Sequence, residues 1–169
     1  MAGAYPVNLR RTLIGVTLYI GILFSQGAFA QTLPEKPIDF AVLRDFFAPV
    51  DVVVQGAERC FALDVVVADT RSQQARGLMY VRFMPERSGM LFDYGEPRAL
   101  SMWMKNTLIP LDIAFATSDG DIINVVRDTT PLSLASISAA APAVYVLELN
   151  AGIAERLDIG PGSRLHIYR

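Results

Sequence analysis

The sequence predicts an all-β domain, built mostly from antiparallel strands, with one or two short helices. Three observations predict this class. The chain has 169 residues, of which 52% are apolar and 19% are charged, and this composition can fill the core of one domain. Short runs of β-branched and aromatic residues recur along the chain between turn residues. The stretches that carry helix signals are few and short, so a strand-rich fold is favoured over a helical one.

The first thirty residues have the pattern of an export signal. Arg10 and Arg11 precede an uncharged run over residues 13–24, and the small residues Ala28 and Ala30 follow it. A basic region, an apolar region and a small-x-small site are typical of a secretory signal. The apolar run spans 12 residues, whereas a membrane-crossing helix needs about 20. We therefore expect a signal peptide over residues 1–30, cleaved after Ala30, and a periplasmic or secreted protein that is free of the membrane after cleavage; the alternative is an uncleaved anchor.

The charge and cysteine content restrict the partners. Cleavage would leave 13 basic and 17 acidic residues, so phosphate backbones would not attract the protein and we expect no nucleic-acid partner. Cys60 is the only cysteine, which excludes an intrachain disulfide. Because Cys60 begins an apolar run, we expect it to be a small buried side chain. We also expect a monomer.

The segment before the strands has its own character. Pro34 and Pro37 predict an extended spacer, and residues 40–47 predict a short helical or irregular packing segment, so residues 31–49 are treated as one unit. The β domain then covers residues 50–169. Within it, Thr70 and Gln73 have capping-box spacing and Gly77 stands at a C-terminal position, which predicts a short helix between them.

The remaining elements are mostly strands. Runs typical of strands occupy residues 50–54, 60–68, 89–92, 99–104, 111–116, 122–127, 143–149 and 164–168. A turn containing Gly95 and Pro97 is predicted between the third and fourth, and Asp119 with Gly120 predicts a hairpin. Residues 129–142 are rich in Ser, Ala and Pro and predict a long loop, whereas residues 153–157 predict a helical turn.

Four sequence blocks occur in a characteristic order: Arg76-Gly77-Leu78-Met79, Gly89-Met90-Leu91-Phe92, Trp103 to Asp112, and Val146 to Gly152. From about Val52 to the carboxyl end, this series resembles domain-of-unknown-function family 192 (DUF192), small and often exported proteins. The resemblance implies a compact β-sandwich of jelly-roll type with short helices, and it implies no established activity. The family commonly has an acidic residue where this chain has Val66, and an arginine where it has Gln74.

Charged and aromatic residues inside apolar strands form the candidate site. Alternation along a strand would place Trp103 and Lys105 on one face. Asp112 and Glu148 are each flanked by apolar residues, and a buried carboxylate needs a partner. The hypothesis is a pocket for a small polar ligand, or a surface for an envelope protein, formed by Trp103, Lys105, Asn106, Asp112, Glu148 and Asn150. The alternative is a structural network in which Lys105 pairs with Asp112 or Glu148 and the two asparagines close turns.

Two further functions are kept as alternatives. Met102 and Met104 would share the opposite strand face, where two thioethers could hold Cu(I), although methionines more often fill core gaps. Asp112 and Glu148 could act together in a carboxylate-based enzyme. No nucleophile with an adjacent base is visible, so we assign no catalytic residue and expect no cofactor. Arginines interleaved with acids predict a solvated rim, at Arg76, Arg82, Arg87 and Arg98.

Overall fold

A computed structural model describes the chain over residues 33–56 and 58–169. The predicted signal over residues 1–30, with its cleavage site, lies outside this part of the chain. Within it, none of the helices combines the length and the apolar character that crossing a bilayer requires.

Strands predominate among the described residues, and three short helices accompany them. The helices are a 3₁₀ helix at Phe40–Asp45, α1 at Arg71–Arg76 and α2 at Ile153–Arg156. The strands are β1 Ile38–Asp39, β2 Ala48–Gln55, β3 Cys60–Ala68, β4 Val81–Phe83, β5 Ser88–Arg98, β6 Ser101–Met102, β7 Leu111–Ala116, β8 Ile122–Val126, β9 Ile137–Ser138, β10 Ala143–Asn150 and β11 Arg164–Tyr168. The all-β class with short helices is therefore confirmed.

Seven strands form one curled sheet, in the order β11-β2-β3-β5-β10-β7-β8. Neighbouring strands within this sheet are antiparallel, except for β3 and β5, which are parallel. The two edge strands meet at one end, where the Ile122 amide donates to Ser163 O at 2.9 Å and the Leu165 amide donates to Gly120 O at 2.8 Å. Gly120 has φ +85°, and a Cβ there would lie 2.1 Å from Leu165 O. Only glycine permits this close approach of the two edges.

Apolar side chains cover both faces of the curled sheet, because successive residues of a strand point to opposite faces. In β5, Met90 and Phe92 pack in one buried cluster with residues of the 3₁₀ helix, whereas Leu91 packs in a second cluster with residues of β2 and β11. Glu148 alternates with Leu147 and Leu149, and these two belong to the second cluster. The Glu148 side chain therefore points to the face of the first cluster.

The short helix at Thr70 to Gly77 is confirmed in detail. The Thr70 hydroxyl accepts from the Gln73 amide, and the Gln73 side chain accepts from the Thr70 amide. This reciprocal capping box satisfies two amides that the first turn leaves without helical partners. The helix ends at Gly77, whose own amide donates to Gln73 O at 2.8 Å.

Three local predictions are wrong. The strand expected over residues 99–104 is only Ser101–Met102, because Asn106 at φ +55° turns the following chain. The turn expected at Gly95 and Pro97 lies within β5, where the register with β10 shifts; this irregularity accommodates both residues without ending the strand. Cys60 is exposed, since it begins β3 opposite Gln55 at the sheet margin.

Candidate functional site

A cleft of about 90 Å³ lies beside the face of the first apolar cluster. Its walls come from α1 and the turn after it, from β5 and β6, from the loop that follows β6, and from Glu148 of β10. Three of the six predicted ligand-binding residues therefore share one concavity: Trp103, Lys105 and Glu148.

The helix α1 forms one wall of the cleft because Gly77, at its carboxyl end, packs closely against Phe92. Gly77 has φ +48°, and a Cβ added there would lie 3.0 Å from the end of the Phe92 ring. Phe92 also lines the cleft. Glycine at this position lets the carboxyl end of α1 approach β5, and Gln74 and Arg76 of α1 line the cleft.

Glu148 forms the buried end of the cleft. Its register partner in β5 is Met90, whose partner in β3 is Val66, so these three residues form one row across the sheet. Only 4% of Glu148 is exposed, and burial raises the pKa of its carboxyl group from 4.5 to about 8. No group within residues 33–56 and 58–169 donates it a hydrogen bond that would oppose this effect. The side chain therefore carries a proton at neutral pH.

Trp103 and Lys105 lie in the loop after β6. The Trp103 side chain is 50% exposed. The Lys105 ammonium lies 5.1 Å from the centre of the Trp103 ring. This is a cation–π contact. The structural alternative included an ion pair of Lys105 with Asp112 or Glu148, and this pair is absent from the described part of the chain. Lys105 therefore leaves its charge available at the cleft.

Asp112 is as buried as Glu148 but does not line the cleft. Its Oδ1 accepts from the Asp128 amide at 3.0 Å, and its Oδ2 accepts from the Ala154 amide at 2.8 Å. One carboxylate thus joins the loop after β8 to the first turn of α2. Its contacts correspond to the structural alternative, and Asp112 is not brought together with Glu148 as an acid–base pair.

Asn106 and Asn150 also make structural contacts away from the cleft lining. The Asn106 amide group donates to the Tyr80 hydroxyl at 2.9 Å, and the Tyr80 backbone amide donates to Asn106 O at 2.7 Å. The Asn150 side chain donates to Met84 O at 2.9 Å and to Pro85 O at 3.1 Å. Both asparagines hold turns in place, as the structural alternative expects.

The two methionine sulfurs make separate contacts. Met104 is fully buried, and its sulfur accepts from the Thr129 hydroxyl at 3.2 Å. The Met102 sulfur accepts from the Tyr94 hydroxyl at 3.5 Å, and only Met102 lines the cleft. Although the strand covers only Ser101–Met102, these two side chains are buried while Trp103 and Lys105 are exposed. The described residues also hold no group of three His, Cys, Asp or Glu side chains arranged for a metal ion.

Arg76 is the functional candidate that sequence reasoning missed. It is half-buried, not part of a solvated rim, and it lines the cleft. Its Nη2 donates to Pro34 O at 2.8 Å, and its guanidinium lies 4.8 Å from the centre of the Tyr80 ring. Its Nε is buried without a partner among the described residues, and burial lowers the pKa of the group. The available signal was its position directly before Gly77 in the first sequence block.

Comparison with known proteins now adds to this geometry. The model of the DUF192 family, described as Uncharacterized ACR, matches residues 52–167. The chain belongs to the DUF192 family. No curated protein is significantly similar to it.

Two solved structures resemble this DUF192 protein. A Sinorhizobium meliloti 1021 protein, described as a candidate transcription regulator, is 46% identical, with a TM-score of 0.70 over 72% of this chain and 95% of its own. A Novosphingobium aromaticivorans DSM 12444 protein of unknown function is 36% identical, with a TM-score of 0.68 over 70% of this chain and 84% of its own. The relatives support the family and its fold and leave the activity open.

Of the two positions at which this chain departs from the usual DUF192 pattern, one lines the cleft and the other lies in the same row of the sheet as Glu148. Gln74 lines it, and its side chain donates to Asp93 O at 2.6 Å. Val66 is fully buried in the row that contains Glu148. With valine at position 66, the acidic side chain in the cleft lining of this DUF192 protein is Glu148.

Proposed function

We propose that the protein is an exported, non-catalytic binding protein that holds a small polar ligand in the cleft between Trp103 and Glu148. The observation that carries this proposal is the buried Glu148 carboxyl group, which ends a solvent-connected cleft without a donor in the described chain. A buried polar group without a partner lowers stability. A ligand that supplied the missing hydrogen bond would offset that cost, which favours a binding role over a purely structural one.

The other observations agree with a small ligand. A volume of about 90 Å³ offers room for about six water-sized positions, too few for a folded partner or a long peptide. The basic residues Arg76 and Lys105 line the same space. Nucleic acid is not proposed as a partner, because 17 acidic residues exceed 15 basic ones and the chain gains no general attraction to phosphates.

The single tryptophan of the chain makes the proposal testable. Trp103 lines the cleft, so its fluorescence reports on an occupied site without added labels. The purified protein would be titrated with small carboxylates, amines, amino acids and sugars. We expect a saturable emission change with one class, and loss of that change in Glu148→Leu, which fills the buried end with a methyl-bearing side chain.

The control for this titration is Glu155→Leu, which removes an exposed acid outside the cleft lining. It should respond as the wild type does. The proposal is abandoned if no class gives a saturable response, or if Glu148→Leu and the wild type respond alike while circular dichroism shows both to be folded.

Export is proposed on the signal pattern of residues 1–30. The test is expression of the full chain in a Gram-negative host, followed by cell fractionation and amino-terminal sequencing. We expect a periplasmic product that begins at Gln31. A cytoplasmic product that retains Met1 contradicts export, whereas a membrane-bound one of full length identifies the uncleaved anchor.

A second candidate function is acid–base catalysis by Glu148. The observation in its favour is the pKa of about 8, which suits proton transfer near neutral pH. The structure does not provide the second carboxylate of the original hypothesis, because Asp112 holds two backbone amides elsewhere. Mass spectrometry of any bound compound after prolonged incubation separates the two functions. An unchanged compound supports binding, and a converted one supports catalysis that Glu148→Gln should abolish.

A further inference from the structure

The charge of the cleft indicates the class of ligand. Its lining contains the basic side chains Arg76 and Lys105 and the carboxyl group of Glu148. Glu148 forms no ion pair with a basic side chain of the described residues. The cations of the cleft are therefore not neutralised by its acid, and an anion is attracted more strongly than an amine.

Arg76 supplies a specific donor to such an anion. One terminal nitrogen is used by Pro34 O, and Tyr80 covers a face of the guanidinium, but Nε remains buried without a partner in the described chain. A buried N–H without an acceptor is unfavourable. A carboxylate accepts hydrogen bonds through two oxygens and offers no donor of its own, so it matches this requirement.

Glu148 acts as a donor in the same arrangement. With a pKa of about 8 it is protonated at neutral pH, and its O–H can donate to a carboxylate oxygen at the buried end of the cleft. Arg76, Lys105 and Glu148 then line the cleft with three kinds of donor. A donor-only ligand could accept a hydrogen bond from none of the three.

The apolar part of the ligand has a place beside Trp103. A neighbouring depression of about 200 Å³ is lined by Leu134 and shares Ser101, Met102 and Trp103 with the cleft. Leu134 is 69% exposed and Trp103 is 50% exposed. These two adjacent apolar side chains would gain free energy if a hydrocarbon chain covered them.

We propose that the ligand is a small organic acid, with its carboxylate between Arg76, Lys105 and Glu148 and its short hydrocarbon chain against Trp103 and Leu134. This inference rests on the proposed binding function and names its ligand class.

The experiment compares hexanoate, acetate, hexylamine and inorganic phosphate by calorimetry and Trp103 fluorescence at pH 7. We expect hexanoate to bind, acetate to bind about tenfold more weakly because it lacks the chain, and hexylamine not to bind. Tighter binding of hexylamine than of hexanoate overturns the proposed charge preference. Phosphate binding as tight as that of hexanoate overturns the organic part of the proposal.

Variants test the individual contacts. Arg76→Gln should weaken hexanoate binding about tenfold, and Arg71→Gln on the same helix should leave it unchanged because Arg71 is exposed and lies outside the cleft. Lys105→Met is the second variant, since Arg76 also contacts Pro34 and could affect folding. Unchanged hexanoate affinity in both folded variants contradicts the proposal.

The pH dependence tests Glu148. Raising the pH from 7 to 9.5 should weaken hexanoate binding about tenfold, because Glu148 loses the donated proton and becomes an anion. The titratable group that faces Glu148 in the cleft lining is Tyr94, whose pKa is raised by its own burial and by the charge of Glu148. Glu148→Gln keeps an N–H donor and should remove this dependence. An equal loss of affinity in the variant overturns the role of Glu148. Saturable binding of a neutral sugar or an amine without binding of hexanoate overturns the carboxylate class and leaves the binding function intact.

Discussion

Asp112 and Glu148 lie on neighbouring strands of one sheet, and both are acids between apolar residues. Leu149 of β10 is the register partner of Asp112 of β7, so these two residues share a face of the sheet. Because Glu148 directly precedes Leu149, the two acids point to opposite faces. Asp112 receives two backbone hydrogen bonds, whereas Glu148 ends a cleft without a donor among the described residues. The same sequence pattern therefore serves structure where backbone amides reach the acid, as at Asp112, and leaves the acid available for the proposed ligand where none do, as at Glu148.

The largest effect is expected from matched amide substitutions. In Asp112→Asn, an NH₂ group replaces one of the two carboxylate oxygens that accept hydrogen bonds from the backbone amides of Asp128 and Ala154. Two donors then face each other, so we expect the free energy of unfolding to fall by about 3 kcal/mol. Glu148→Gln should not lower it at pH 6, because the Glu148 carboxyl group is already neutral in the folded protein and Gln removes the cost of protonating it there. Urea denaturation of both variants measures the difference. Equal losses would break the distinction between the two acids.

The next effect concerns the pH dependence of stability. The pKa of Glu148 is raised from 4.5 to about 8 by folding, so the folded state binds the proton more tightly and stability falls as the pH rises through this interval. We expect the wild type to lose about 2 kcal/mol relative to Glu148→Gln between pH 5 and pH 6.5. Denaturation curves at the two pH values test this. A constant difference between the two proteins means that Glu148 titrates normally.

A smaller effect is expected from the capping box of α1. Thr70→Ala removes the hydroxyl that accepts from the Gln73 amide and should cost about 1 kcal/mol. Hydrogen exchange should increase along Arg71–Arg76, which forms a cleft wall. The amides of Asp128 and Ala154, held by Asp112, should keep their protection. Faster exchange at both places would show that the two regions are not independent.

The smallest effect on stability is expected at the cleft mouth. Lys105→Met removes a cation–π contact at an exposed site, so the free energy of unfolding should change by about 0.5 kcal/mol or less. Thermal denaturation, with Trp103 emission recorded in parallel, measures both stability and the loss of the ammonium beside the ring. A stability loss comparable to that of Asp112→Asn would assign Lys105 a structural role.

Local patterns predicted much of the fold. Alternating apolar residues identified most long strands, and the spacing of Thr70 and Gln73 identified α1, because these signals depend on neighbours in the chain. The failures depended on distant partners. The turn at Asn106 is held by the Tyr80 hydroxyl, and β5 continues past Gly95 because β10 absorbs the irregularity by a register shift.

The candidate site was half predictable for the same reason. Glu148 and Asp112 could both be selected as acids inside apolar strands, but only the fold shows that the Asp128 and Ala154 amides reach one of them. Arg76 has neighbours in sequence that are typical of a solvated face. Its burial results from Pro34 and Tyr80, which cover it from other elements.

The joined edges of the curled sheet have a consequence for behaviour in concentrated solution. Unpaired edge strands present rows of free amides and carbonyls on which another chain can add a strand. Here the beginning of β8 and the beginning of β11 use some of these groups on each other, and Gly120 makes the close approach sterically feasible. Since the only cysteine provides no internal disulfide, this backbone closure is a defence against aggregation that a larger side chain at position 120 would remove.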